Sequence, residues 1–217
     1  MTSQQFGTLP TGETVEQYTL TNAAGASLDV ITYGGIITAL RVPDAQGVLA
    51  DVVLGYDKLE PYLARHPYFG AVIGRIAGRV SGGQLTIDGQ THQLVGNVGP
   101  NHLHGGVTGF DRRIWSAEPV TRADGADSLR LTYHSPDGEE GYPGNLSVQV
   151  SYRLTQDNQL VIEYQASTDK ATPLKMVKSP ATNMRLANCA HRNRGHNPRV
   201  NPHMLYRSLE GKSIHNR

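Results

Sequence analysis

Short runs in which apolar and polar residues alternate, each closed by turn-forming residues, recur through the first 170 or so positions of this 217-residue chain. Val15 to Leu20 alternates and stops at Asn22-Ala23-Ala24-Gly25, and Ser27 to Tyr33 alternates and stops at Gly34-Gly35. A period of two sends successive side chains to opposite faces, so each run predicts a half-buried strand. Ile36 to Val42 is mostly apolar and ends at Pro43-Asp44-Ala45-Gln46-Gly47, a tight-turn sequence; Val48 to Leu54 then returns, predicting a hairpin. Asp88-Gly89 between Leu85-Thr86-Ile87 and Gln90 to Leu94 is a second hairpin signal. Leu129 to His134, Leu146 to Leu154 and Gln159 to Ala166 complete the set, with Gln156-Asp157-Asn158 turning between the last two.

Helical periodicity is nearly missing. Asp57 to Ala64 predicts one short helix, with Leu59 and Leu63 on one side and Pro61 in its first turn. Tyr68 to Ile73 is apolar, but its interior glycine argues against a central strand and for close backbone approach. Roughly ten evenly spaced strands predict an all-β sandwich or barrel, and 217 residues suffice for one such domain.

Composition changes this picture at one place. Residues 1–174 hold 11 Lys and Arg against 18 Asp and Glu, a net of −7, whereas residues 175–217 hold 9 against 1, a net of +8. The second stretch also contains four of the nine histidines, the lone Cys189, and no sustained period of two or 3.6. It reads as a basic, disordered tail on a β domain that ends near Leu174. The tail has no nucleic-acid motif, aromatic platform or helical period, so its charge alone does not predict a nucleic-acid partner. One cysteine excludes an internal disulfide framework and a multi-cysteine zinc site. The N-terminus is polar with no signal-like apolar segment, and no apolar run is long enough to span a membrane, so a cytoplasmic protein is expected.

The candidate chemistry lies in two glycine-rich stretches. Asn101-His102-Leu103-His104-Gly105-Gly106 sets an imidazole beside paired glycines, where the backbone can turn sharply and a ligand can approach the main chain. His104 is a candidate proton-handling group, against the plainer reading that it hydrogen-bonds a nearby carbonyl. His102, two residues earlier, would share its face on an extended strand, but no further metal ligands stand nearby. Gly74-Arg75-Ile76-Ala77-Gly78-Arg79 places two guanidiniums four residues apart. They suit neutral hydroxyls or carboxylates, or serve structurally by binding carbonyls or acids such as Asp111. The carboxylates of Asp137-Gly138-Glu139-Glu140-Gly141-Tyr142-Pro143-Gly144 read as a solvated loop. Tyr68, Phe69, Phe110, Trp115 and Tyr142 could stack on a ligand, although such residues are mostly core.

Taken together, these segments resemble the aldose 1-epimerase (galactose mutarotase) family. In order they are Thr32-Tyr33-Gly34-Gly35-Ile36-Ile37, Val53-Leu54-Gly55-Tyr56-Asp57, Tyr68 to Arg79, Asn101 to Gly106 with Gly109-Phe110-Asp111, Trp115, Ser135 to Gly144, and Ala171-Thr172-Pro173-Leu174. The resemblance covers about residues 10–174. It implies an antiparallel β-sandwich of the galactose mutarotase type that takes aldohexoses such as galactose and glucose, with no cofactor and no metal. The implied reaction interconverts anomers: a base takes the anomeric hydroxyl proton while an acid protonates the ring oxygen, the ring opens, and it recloses on the other face. On this resemblance His104 is the first of two active-site histidines, catalytic and substrate-binding, and Arg79 binds the sugar. Gly78 stands where the family usually has Asn. Beyond Leu174 the family continues with Asn-Leu-Thr-Asn-His; here Lys175-Met176-Val177-Lys178-Ser179 puts Ser179 at the second histidine's place. The expectation is the first half of a mutarotase joined to an unrelated tail, impaired because that histidine and the base glutamate are missing, or a non-catalytic carbohydrate-binding fragment.

Overall fold

The computed structural model describes residues 1–64, 67–121 and 127–179. In chain order the strands are β1 (Thr2–Thr8), β2 (Thr14–Thr21), β3 (Ser27–Ile31), β4 (Ile37–Pro43), β5 (Leu49–Asp51), β6 (Val72–Ile73), β7 (Arg79–Val80), β8 (Gln84–Ile87), β9 (Gln90–Gln93), β10 (His102–Leu103), β11 (Ser116–Thr121), β12 (Asp127–Ser135), β13 (Leu146–Leu154), β14 (Leu160–Thr168) and β15 (Val177–Lys178). The single α-helix among the described residues, α1, is one turn at Glu60–Leu63. It is shorter than the helix expected over 57–64: the turn closes at Ala64, and Leu59 at its start and Tyr62 within it are buried.

Two antiparallel sheets make the sandwich. β1 to β5 follow one another in one sheet and β11 to β14 in the other. β13 shows why: Leu146, Val148, Val150, Tyr152 and Leu154 are buried, and every residue between them is partly exposed. They meet Tyr18 and Leu20 of β2, Leu28 and Val30 of β3, Ile37 and Leu40 of β4, and Leu129 and Leu131 of β12 in one core. Burying each such aliphatic side chain contributes about 1.5–3 kcal/mol. Asn22, in the turn after β2, donates to Thr155 O and Asn158 Oδ1 in the turn after β13, joining the sheets at one end. The Asp88-Gly89 hairpin forms as predicted; both residues have positive φ (50° and 79°), the pairing that matches strand twist.

Backbone order runs past Leu174, where the sequence pattern fails. Ala77 donates to Lys175 O, Lys175 donates to Arg75 O, and Val177 and Lys178 pair with Ile73 and Val72. Met176 is buried in the core. Pairing with residues 71–77 thus holds a stretch too short to show a period. The rest of the expected tail, 180–217, lies outside the described residues.

Lys178 carries a testable consequence. The residue is partly exposed, but its Nζ donates to Gly35 O and to Tyr152 Oη (2.8 Å) and lies over the fully buried Tyr152 ring. Burial holds this amine well below the usual lysine range. Between that lowered value and about 10.5 the unfolded chain binds more protons, so stability should rise with pH. Lys178→Met should flatten this slope between pH 7 and 9.5 in urea melts, because Tyr152 Oη still donates to Gly35 O. An unchanged slope would show that the ammonium stays solvated.

Candidate active site

The site is built on a ladder only two residues long. β7 and β10 match Arg79 with Leu103 and Val80 with His102. Just beyond, Gly78 and His104 hold each other: His104 N–H donates to Gly78 O, and Gly78 N–H donates to His104 Nδ1, both at 3.0 Å. That register brings the two expected residues, His104 and Arg79, to the same end of one ladder. Because Nδ1 accepts, the neutral ring carries its proton on Nε2. Burial, and secondarily the Arg79 charge, hold His104 below the usual imidazole range, which favours that neutral ring. The Tyr68 ring meets it edge-on with centroids 5.0 Å apart. The arrangement presents a fixed N–H donor beside an exposed guanidinium and an aromatic ring.

His104 has φ +54°, followed by Gly105 at +93° and Gly106 at +101°. This left-handed turn ends the strand at Leu103, so the two histidines do not share a face as extended geometry predicts. His102 is fully buried; its Nδ1 pairs with Val95 O (2.7 Å) and its Nε2 with Tyr142 Oη (2.6 Å). A carbonyl only accepts, so Nδ1 donates and His102 is a structural cross-link. Among the described residues no three His, Cys, Asp or Glu side chains gather as a metal would need.

The two arginines part company. Arg79 is exposed, while Arg75 is 1 % exposed and buried in a nest of acceptors. Its guanidinium donates to Ser135 Oγ and O, Pro136 O, Pro143 O, Gly144 O and Thr172 Oγ1. Arg75 is therefore structural, bound to carbonyls and hydroxyls. Asp111 is paired instead with Arg112 at 3.8 Å, and burial pushes its carboxyl up to about 6.

The loop 137–144 is not simply solvated. Asp137 accepts from Gly144 N–H and pairs with Lys170; Glu139 binds Arg113 (2.8 Å), Tyr133 Oη (2.6 Å) and Ser135 Oγ. Glu140 reaches the turn after His104, accepting from Val107 N–H (3.0 Å) and Thr108 N–H (2.9 Å). Asn97 grips the same turn, donating to Leu103 O and Gly106 O and accepting from Leu103 N–H. Sequence reasoning missed both: adjacent acids look like a surface turn, and Asn97 has no motif around it. Of the aromatic candidates, Phe110, Trp115 and Tyr142 are core; Tyr68 alone of the five touches His104, and Phe69 packs on Tyr56. Gly78, at φ +117°, occupies backbone space that an L side chain such as Asn rarely adopts.

A groove of about 450 Å³ lies elsewhere, lined by His134, Ser147, Ser167 and Asp169 among others at the ends of β12 to β14. Neither His104 nor Arg79 borders it, and its acid is already bound by Asn145.

The family model for aldose 1-epimerase matches residues 16–178. The chain belongs to the aldose 1-epimerase family. It is 45 % identical over 185 residues to galactose mutarotase of Sus scrofa, covering 85 % of this chain and 52 % of that protein. To aldose 1-epimerase of Escherichia coli K12 it is 38 % identical over 167 residues, 77 % of this chain and 47 % of the relative. A solved galactose 1-epimerase from Lactobacillus acidophilus superposes with TM-score 0.72 at 31 % identity, over 82 % of this chain and 51 % of that one. An aldose epimerase homologue from C. elegans gives 0.67 at 29 %, over 75 % and 49 %. The chain thus spans about half the length of the curated relatives it matches. The match ends at Lys178, where the described backbone also nearly ends. No helix among the described residues is long and apolar enough to cross a membrane.

Proposed function

We propose that the His104–Arg79 face is the sugar-gripping wall of an aldose 1-epimerase site, and that this 217-residue chain binds aldohexoses such as galactose while interconverting their anomers poorly. The observation that carries the reading is the reciprocal Gly78–His104 pair, which commits Nδ1 and leaves Nε2–H as the donating edge beside Arg79. A neutral N–H donor suits a ring or hydroxyl oxygen of a pyranose; a guanidinium fork suits neighbouring hydroxyls. A Tyr68 edge adds apolar surface for the sugar's C–H groups.

Anomer interconversion needs an acid at the ring oxygen and a base at the anomeric hydroxyl together. His104 with an occupied Nδ1 is a donor and orienting group, and it does not serve both roles. The family resemblance puts the second histidine at position 179, where this chain has Ser179, whose backbone N–H is bound to Ala71 O. Ser cannot protonate a ring oxygen near neutral pH. Residues 175–217 contain one carboxylate, Glu210. The chain therefore supports binding better than turnover, which is the carbohydrate-binding reading. Polarimetry on freshly dissolved α-galactose tests it: a slow rate agrees, and a rate equal to that of a full-length relative contradicts it.

A further inference from the structure

We propose that Glu140 is a positioning residue for His104: its carboxylate clamps the left-handed turn that aims the imidazole, and so maintains the Nε2–H tautomer offered to the sugar. The inference rests on the reading that His104 faces the substrate, and it assigns work to a loop the proposed reaction does not otherwise use.

The geometry is specific. Three successive residues, His104, Gly105 and Gly106, have positive φ; the glycines adopt it freely, but His104, a non-glycine, persists there only where surrounding contacts over-determine it. Upstream, Gly78 holds His104 itself and Asn97 holds Leu103. Downstream, the two oxygens of Glu140 take the consecutive N–H groups of Val107 and Thr108, one each. A carboxylate presents acceptors only, and such bonds to an ionised group are roughly twice as strong as neutral ones. A Cβ on Gly106 would collide with the Glu140 carboxylate, so this glycine fits the contact as well as the turn.

Glu140 is itself anchored. Its carbonyl accepts from Val95 N–H (3.0 Å), and Val95 O accepts from His102. Its neighbour Glu139 is bound to Arg113, Tyr133 and Ser135, and Ser135 also accepts from Arg75. The clamp therefore connects the turn, through Glu139 and Ser135, to the buried arginine nest. If it opens, the turn can relax, the Gly78 N–H···Nδ1 bond loses its alignment, and nothing then dictates which ring nitrogen carries the proton.

The test uses the full chain with ¹⁵N-labelled histidine. In the wild type, His104 should show the Nε2–H tautomer, with slow amide exchange at Val107 and Thr108. Glu140→Ala should speed that exchange about tenfold or more and give His104 a mixture of tautomers. His102, held by Val95 and Tyr142, should keep its signals. Glu140→Gln keeps one acceptor and turns an NH₂ toward the second amide, so an intermediate mixture is expected; it also serves if the alanine variant fails to fold. A His104 tautomer unchanged in the variants, with exchange at 107 and 108 accelerated, overturns the proposal. The measurement needs no sugar. If galactose fails to bind even the wild type, the functional reading falls while the tautomer still decides the role of Glu140.

Discussion

Mutarotation of freshly dissolved α-galactose is expected to run at least about 10²–10⁴-fold slower with this chain than with a full-length relative, the effect typical of losing one general acid or base. The expectation follows from what each residue at the site can do. His104 Nδ1 is occupied by Gly78 N–H, which leaves a donor of one proton and no acceptor on the ring. The Arg79 guanidinium offers hydrogen-bond donors only, so it can stabilise oxygen but supplies no base. Ser179 occupies the place at which the family resemblance puts an acid, and the three carboxylates of 137–144 are engaged elsewhere: Asp137 by Gly144 and Lys170, Glu139 by Arg113, and Glu140 by the Val107 and Thr108 amides. Polarimetry with equal molar amounts of the two proteins checks this. Comparable rates would mean that some other group supplies the acid and base.

Arg75→Met is expected to be the most damaging single change to the fold, by about 3–5 kcal/mol or more. The side chain has almost no solvent contact, and four backbone carbonyls, Ser135, Pro136, Pro143 and Gly144, take their hydrogen bonds from it. Methionine fills much of the volume but leaves these acceptors buried without donors, each costing on the order of 1–3 kcal/mol. Arg75→Lys should fare little better, because three donors on a flexible stem cannot reproduce a planar five-donor fork. Burial pulls the guanidinium's pKa down, yet its donors organise residues 135–144, with Ser135 bound in turn to Glu139. Urea melts would measure the loss; a change below about 1 kcal/mol would show that the loop rearranges to satisfy itself.

The contrast between Arg75 and Arg79 also shows where sequence reading stops. Strands with a clean period of two were legible almost to the residue: β13 is the predicted Leu146–Leu154 run, and the Asp88-Gly89 hairpin turns where its residues demand. β1 was not predicted, because Thr2–Thr8 is nearly all polar and exposed and is ordered by pairing with β2 rather than by burial. β11, with Pro119 inside it, is likewise an edge strand whose form comes from β12. The helix at 57–64 shrank to one turn.

His104 and Arg79 are candidates chiefly through the family resemblance carried by their glycine-rich surroundings, and the fold sets them at the same end of one ladder. Spacing alone could not separate Arg79 from Arg75, since neither lies in a regular run whose period would assign a face. Nor could it separate His104 from His102: the alternation that predicts a shared face ends at Leu103, when His104 enters left-handed space. The roles of Gly78, Asn97 and Glu140 depend on contacts 6 to 33 residues apart in sequence, and no local pattern announces them.

The most direct test of the central claim, that this face grips an aldohexose, is a calorimetric titration of the full chain with galactose. Saturable heat with a dissociation constant on the order of millimolar is expected, abolished by Arg79→Ala and by His104→Ala in variants that melt as the wild type does. No heat at millimolar galactose, or binding that survives both substitutions, would contradict it.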